Sequence, residues 1–193
     1  MAPIEAIRIK PGSEIGHYNL GAILAKQGRV QEAITHFAAA LRIKPDYSEV
    51  HCSLGLAFAE QGKIQEAIAH FASALRIKPD NSEAHNNLGV ILTRQGKIQE
   101  AIGHFTEALR AKPDNAEVHN NLGVALAGQG KVREAIAHFT KAVEAKPDYA
   151  EAHVNLGFVY LTIGDKVSAL EEYKILKKLN PDLAGQLYQR ISK

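Results

Sequence analysis

Histidine is the residue of this chain with the widest chemical range, since an imidazole can ligate a metal or carry a proton near neutrality. Nine are present. They form two series, His17, His51, His85, His119 and His153, and His36, His70, His104 and His138. No two lie closer than 15 residues, so the ligand pair that a helix offers at positions i and i+4 is missing. The spacing therefore predicts no metal site, and no other cofactor is expected. Cys52 is the only cysteine, which rules out an internal disulfide and makes a reducing, cytoplasmic setting the expectation. Its place is held at 34-residue steps by Tyr18, Asn86, Asn120 and Val154, a variable series that does not suit a nucleophile. Glycine-rich phosphate loops, a serine nucleophile elbow and clustered acid pairs are all missing. These residues argue against an enzyme.

The same 34-residue step governs the whole chain of 193 residues. Pro11, Pro45, Pro79, Pro113, Pro147 and Pro181 follow it, and the phrase HNNLGV stands at both His85–Val90 and His119–Val124. Each unit holds two amphipathic segments of about 14 residues. In the third unit Leu88 and Leu92 stripe the first segment, and Gly96 is placed to end it in the left-handed conformation. Ile98, Ala101, Ile102, Phe105, Ala108 and Leu109 stripe the second, which Pro113 stops. Gly21, Gly55, Gly89, Gly123 and Gly157 fall inside first helices, where each costs about 1 kcal/mol against alanine. Close approach of the partner helix is the expected reason. Asp46 with Glu49, Asp80 with Glu83, Asp114 with Glu117, and Asp148 with Glu151 have capping-box spacing. Composition agrees with a packed helical array: 46% hydrophobic, 23% charged, net charge +2. That charge is too small to suggest nucleic acid as a partner, and no apolar run is long enough to cross a membrane.

The framework His85, Leu88, Gly89, Leu92, Gly96, Ala101, Phe105, Ala108, Pro113 resembles the tetratricopeptide repeat (TPR), with its W-x2-L-G-x2-Y, A-x3-F and P positions. His replaces the pattern's Trp throughout, and Leu or Phe replaces its Tyr in the first four units. The resemblance implies an all-α fold, a right-handed α-solenoid of antiparallel helix pairs forming a TPR superhelix with a C-terminal capping helix. The expected units are 14–47, 48–81, 82–115, 116–149 and 150–183. Residues 1–13 read as part of the second helix of a preceding repeat, as in a piece cut from a longer array. Residues 184–193 read as the cap helix that a terminal repeat needs.

In TPR superhelices the first helices line the concave face. The resemblance therefore implies a peptide-binding groove bearing Asn19, Ser53, Asn87, Asn121 and Asn155, similar to the asparagine ladder in the repeat arm of O-GlcNAc transferase. An amide carries both donor and acceptor and can hold a peptide backbone without reading its side chains. Such amides can equally bond neighbouring helices. Around them the groove is expected to include Asn86, Val90, Arg94, Asn120, Val124 and Phe158, with Leu56 and Thr93. It has no matched lysine and arginine set of the kind that clamps a terminal carboxylate. The function expected is a non-catalytic scaffold that binds a protein or peptide segment. The alternatives are a substrate-recognition arm of a larger enzyme, such as a glycosyltransferase, and an array that associates weakly end to end.

Overall fold

The computed structural model describes residues 13–192. The expectation of a partial helix over residues 1–13 falls outside them except at Ser13. The described residues are all-helical, with no strand. Two compact units divide between Leu88 and Gly89. Five helix pairs and a final helix follow in order: α1 (Glu14–Lys26), α2 (Val30–Ile43), α3 (Ser48–Glu60), α4 (Ile64–Ile77), α5 (Ser82–Arg94), α6 (Ile98–Ala111), α7 (Ala116–Gly128), α8 (Val132–Ala145), α9 (Ala150–Thr162), α10 (Lys166–Leu179) and α11 (Pro181–Ile191).

The turn inside each pair is set by one glycine. Gly28, Gly62, Gly96, Gly130 and Gly164 have φ of 74, 74, 76, 75 and 78°, the left-handed region that a side chain disfavours. The next residue's N–H then reaches back five positions, as in Lys97 N–H to the Leu92 carbonyl at 2.9 Å and Arg29 N–H to the Leu24 carbonyl at 2.9 Å. This is the Schellman closure of a helix C-terminus. The second helices end differently. The first four run into a Lys-Pro pair and the fifth into Asn180-Pro181, and the residue before proline is pushed out of the helical region: Lys44, Lys78, Lys112 and Lys146 have φ between −141 and −130°.

The expected capping boxes do not form where the spacing put them. The helices start later, so Asp46, Asp80, Asp114 and Asp148 fall in the turns and the following residue takes the cap position. Asn115 Oδ1 accepts from the backbone N–H groups of Glu117 and Val118, and Asn81 Oδ1 accepts from that of Ala84 at 3.1 Å. At Tyr47 and Tyr149 no side chain caps the helix. The proline explains the shift, because it holds the preceding lysine extended and the chain needs Asp to complete the turn. Lys112, for example, accepts from Asn115 N–H.

In the first unit one core cluster comprises Leu20, Leu24, Ala33, Phe37, Ala40, Val50 and Leu54. Ser48 donates to the Ala74 carbonyl at 3.0 Å and accepts from Asn81 Nδ2 at 2.9 Å, so the buried hydroxyl is satisfied at both lone pair and proton. In the second unit one cluster centres on Phe105, Leu122 and Phe139. Another joins Val154, Ala169 and Leu176 to Ala184, Leu187 and Ile191 of α11. Helix α11 starts at Pro181, ahead of the expected 184. Proline is at home in a first helical turn, and Asn180 Oδ1 caps it by accepting from Leu183 N–H.

The mid-helix glycines are explained by the neighbouring second helix. A Cβ on Gly21, Gly55, Gly89 or Gly123 would lie 2.5–2.7 Å from the ring of Phe37, Phe71, Phe105 or Phe139. In the last repeat, where Tyr173 stands in the phenylalanine position, Leu187 fills the space instead, 2.5 Å from the Gly157 position.

Candidate functional site: an apolar cup on the first helices

The small residues that let first and second helices touch also decide which first-helix side chains stay outside the core. On α7, Val118, Leu122, Ala125 and Leu126 are buried, leaving Asn121 half-buried and Val124 42% exposed. Val124 lies one helical turn beyond Asn121, so the two share a face. Val90, Thr93, Arg94, Phe105, Asn121 and Val124 line a cup of about 130 Å³ in the second unit. Its floor is apolar, its one amide is Asn121, and Arg94 stands exposed at its edge. Four expected groove residues, Val90, Arg94, Asn121 and Val124, are thereby brought together.

The remaining ones are placed differently. Asn155 Nδ2 donates to Asn120 Oδ1 at 3.0 Å, tying α9 to α7. Asn120 is buried at 7% exposure, as is Asn86 in the first unit, so neither amide lines an open surface. Asn87 is half-buried on α5 and Asn19 is exposed on α1. Phe158 on α9 lies beneath the Arg190 guanidinium, 5.7 Å from its ring centre, within cation–π range. Cys52 is buried, and burial pushes its thiol up to about 12. Among the described residues no group of three or more His, Cys, Asp or Glu is gathered for a metal ion.

The spacing excludes a histidine pair within one helix, and the structure pairs histidines between helices. Residues 19 apart meet across the two helices of a repeat. Nδ1 of His17 faces Nδ1 of His36 at 3.0 Å, His51 faces His70 at 3.0 Å, and His119 faces His138 at 2.9 Å. In the fifth repeat Glu172 takes the second place, with His153 Nδ1 2.6 Å from its Oε2. The signal was available: a constant offset between two periodic series spans one helix, one turn and part of the next.

Family comparisons follow from the repeat. Tetratricopeptide repeat models match residues 14–80, 52–116 and 104–137, and a TPR repeat model matches residues 128–164. The chain belongs to the tetratricopeptide repeat family. No curated protein matches the TPR chain in sequence. Among solved structures, it is similar to YrrB, a TPR protein with an unusual peptide-binding site, at 23% identity and a TM-score of 0.72, with 98% of each chain covered. It is similar to MamA from Desulfovibrio magneticus RS-1 at 23% identity and a TM-score of 0.74, covering 88% of this TPR chain and 96% of that one. It is also similar to Pseudomonas aeruginosa PilF at 20% identity and a TM-score of 0.80, covering 93% and 87%. At these identities the likeness is one of fold. No helix of the described residues is long and apolar enough to cross a membrane.

Proposed function

We propose that the chain is a non-catalytic protein-interaction module that binds an extended partner segment along the first helices. The apolar cup formed by Val90, Thr93, Arg94, Phe105, Asn121 and Val124 carries this reading. It combines the three things a peptide site needs. The floor buries an apolar side chain at about 25 cal/mol per Å², the Asn121 amide serves a peptide backbone, and Arg94 sets the charge at the edge. Asn155 has its donor turned to Asn120, which leaves its Oδ1 to accept from a partner's N–H. The family's common role as a scaffold and the peptide-binding site of YrrB support the same reading.

The test uses peptides selected on an array for binding to this chain. Val124→Asp puts a charge on the cup while replacing a side chain that is already 42% exposed. It should remove most of the affinity and leave the helical circular dichroism unchanged. Asn121→Ala should cost about 0.5–1.5 kcal/mol of binding. Equal binding by Val124→Asp and the parent would place the partner elsewhere.

A further inference from the structure

The histidine pairs have a definite proton count. A carbonyl oxygen only accepts, so the Nε2 of His51, 3.3 Å from the Pro45 carbonyl, and that of His119, 2.8 Å from the Pro113 carbonyl, must carry hydrogen. In a neutral imidazole the other nitrogen is then an acceptor. The Nδ1 of His51 and His119 therefore accepts, and the Nδ1 of His70 and His138 donates to it. Ring centres stand 5.3 Å apart for His51 and His70, and 5.2 Å for His119 and His138. That is the Nδ1–Nδ1 gap plus one ring-centre-to-nitrogen distance at each end, so the rings meet head to head along a straight N–H···N bond. His17 and His36 share the geometry, with centres 5.3 Å apart.

One proton can be added to such a pair, on the Nε2 of the second-helix histidine. A second would have to enter the Nδ1 of the first-helix histidine and set donor against donor at about 3 Å. We propose that these head-to-head pairs make the second and fourth repeats acid-sensitive: each pair accepts at most one proton while its helices stay packed, so acidification through the imidazole range loosens these hairpins. The fifth repeat is built the opposite way. His153 donates from Nε2 to the Pro147 carbonyl and from Nδ1 to Glu172, which requires an imidazolium and is favoured by acid.

The surroundings agree. Burial holds His36, His51, His70, His119 and His138 below the ordinary imidazole value, and the facing histidine adds to this at His36, His70 and His138. His70 also has Phe58 stacked on it at 5.3 Å. The charged groups facing the pairs are Glu32 at His36, Asp46 and Arg76 at His51, Asp114 and Lys141 at His119, and Lys141 and Glu134 at His138. At His51, His119 and His138 the cation, Arg76 or Lys141, opposes protonation more strongly than the carboxylate beside it favours it, so neighbouring charge does not cancel the donor–donor conflict. The sign follows from linkage. The unfolded chain binds more protons than the folded one, so this stability is complete above about pH 6.5 and is lost as pH falls.

The fifth repeat supplies the design of the test. In His70→Glu/His138→Glu each pair copies His153 and Glu172. Urea unfolding followed by circular dichroism from pH 7.5 to 5.5 should show the parent's unfolding equilibrium constant rising on acidification, by up to about tenfold per pH unit for each pair held one proton short. The double variant should show a smaller or reversed slope. A parent with no slope, or the same slope in both proteins, overturns the proposal. Nitrogen-15 NMR of the parent's imidazoles gives a reading that does not depend on the variant folding. His51 and His119 should be Nε2–H tautomers and His70 and His138 Nδ1–H tautomers at neutral pH. Mixed tautomers, or both members of each pair titrating like free imidazole, would equally overturn it.

Discussion

At the scale of the residue, identical side chains in this repeat answer to different constraints. Gly123 and Gly103 both lie within helices, yet a Cβ at 123 would meet the Phe139 ring at 2.7 Å while one at 103 meets nothing within 4 Å. Gly123→Ala should therefore destabilise by about 1–3 kcal/mol through overpacking, although alanine is the better helix former. Gly103→Ala should stabilise by up to about 1 kcal/mol, as propensity alone dictates. Urea denaturation of the two variants checks both signs. Cys52, buried with its thiol held at about 12, should react with a thiol reagent far more slowly in the native chain than in urea at the same pH, because the thiolate is the reactive form. Rapid native labelling would mean that α3 opens readily.

At the scale of the element, the contact that joins two helices of a repeat sets how that repeat responds to its surroundings. The His153–Glu172 pair, with side chains 6% and 12% exposed, raises the imidazole above its ordinary 6.5, chiefly through the hydrogen bond from Nδ1 to the carboxylate. A raised histidine contributes stability that is complete below the unfolded value and disappears as pH rises through the folded one. Glu172→Gln should consequently cost more stability at pH 6 than at pH 8.5, as read from urea midpoints. Equal losses at both pH values would show that the carboxylate does not hold a proton on His153.

At the scale of the whole molecule, stability in a repeat array is a sum of neighbouring contacts. Helix α11 gives Ala184, Leu187 and Ile191 to the last core cluster, and Leu187 fills the space beside Gly157. Removing the chain from Asp182 onward should uncover Val154 and Leu176, at a cost of about 1.5–3 kcal/mol for each large apolar side chain lost from the core. Solubility should fall more than helix content. Sedimentation and circular dichroism of the shortened chain measure the two, and unchanged solubility would reduce α11 to a tail.

Periodicity made the helical class, the pairing of segments and the glycine-closed turns legible, because a 34-residue step repeats every local signal several times. Gly96 and its equivalents could be read for the same reason: the left-handed turn is a local demand. The caps lie one residue beyond the spacing's candidates Asp80 and Asp114, since the proline before them shifts each start and Asn81 and Asn115 do the capping. The groove was legible only as a set of candidates. Whether an amide on a first helix faces outward or toward its neighbour depends on helix rotation against the next helix. That rotation buried Asn120, joined it to Asn155, and left Asn121 beside Val124. The histidine pairs lay in plain view as two periodic series, but their head-to-head meeting required two helices to pack at a particular height. Periodic local signals are written along the chain, whereas the depth and facing of a side chain are fixed only when one helix is packed against another.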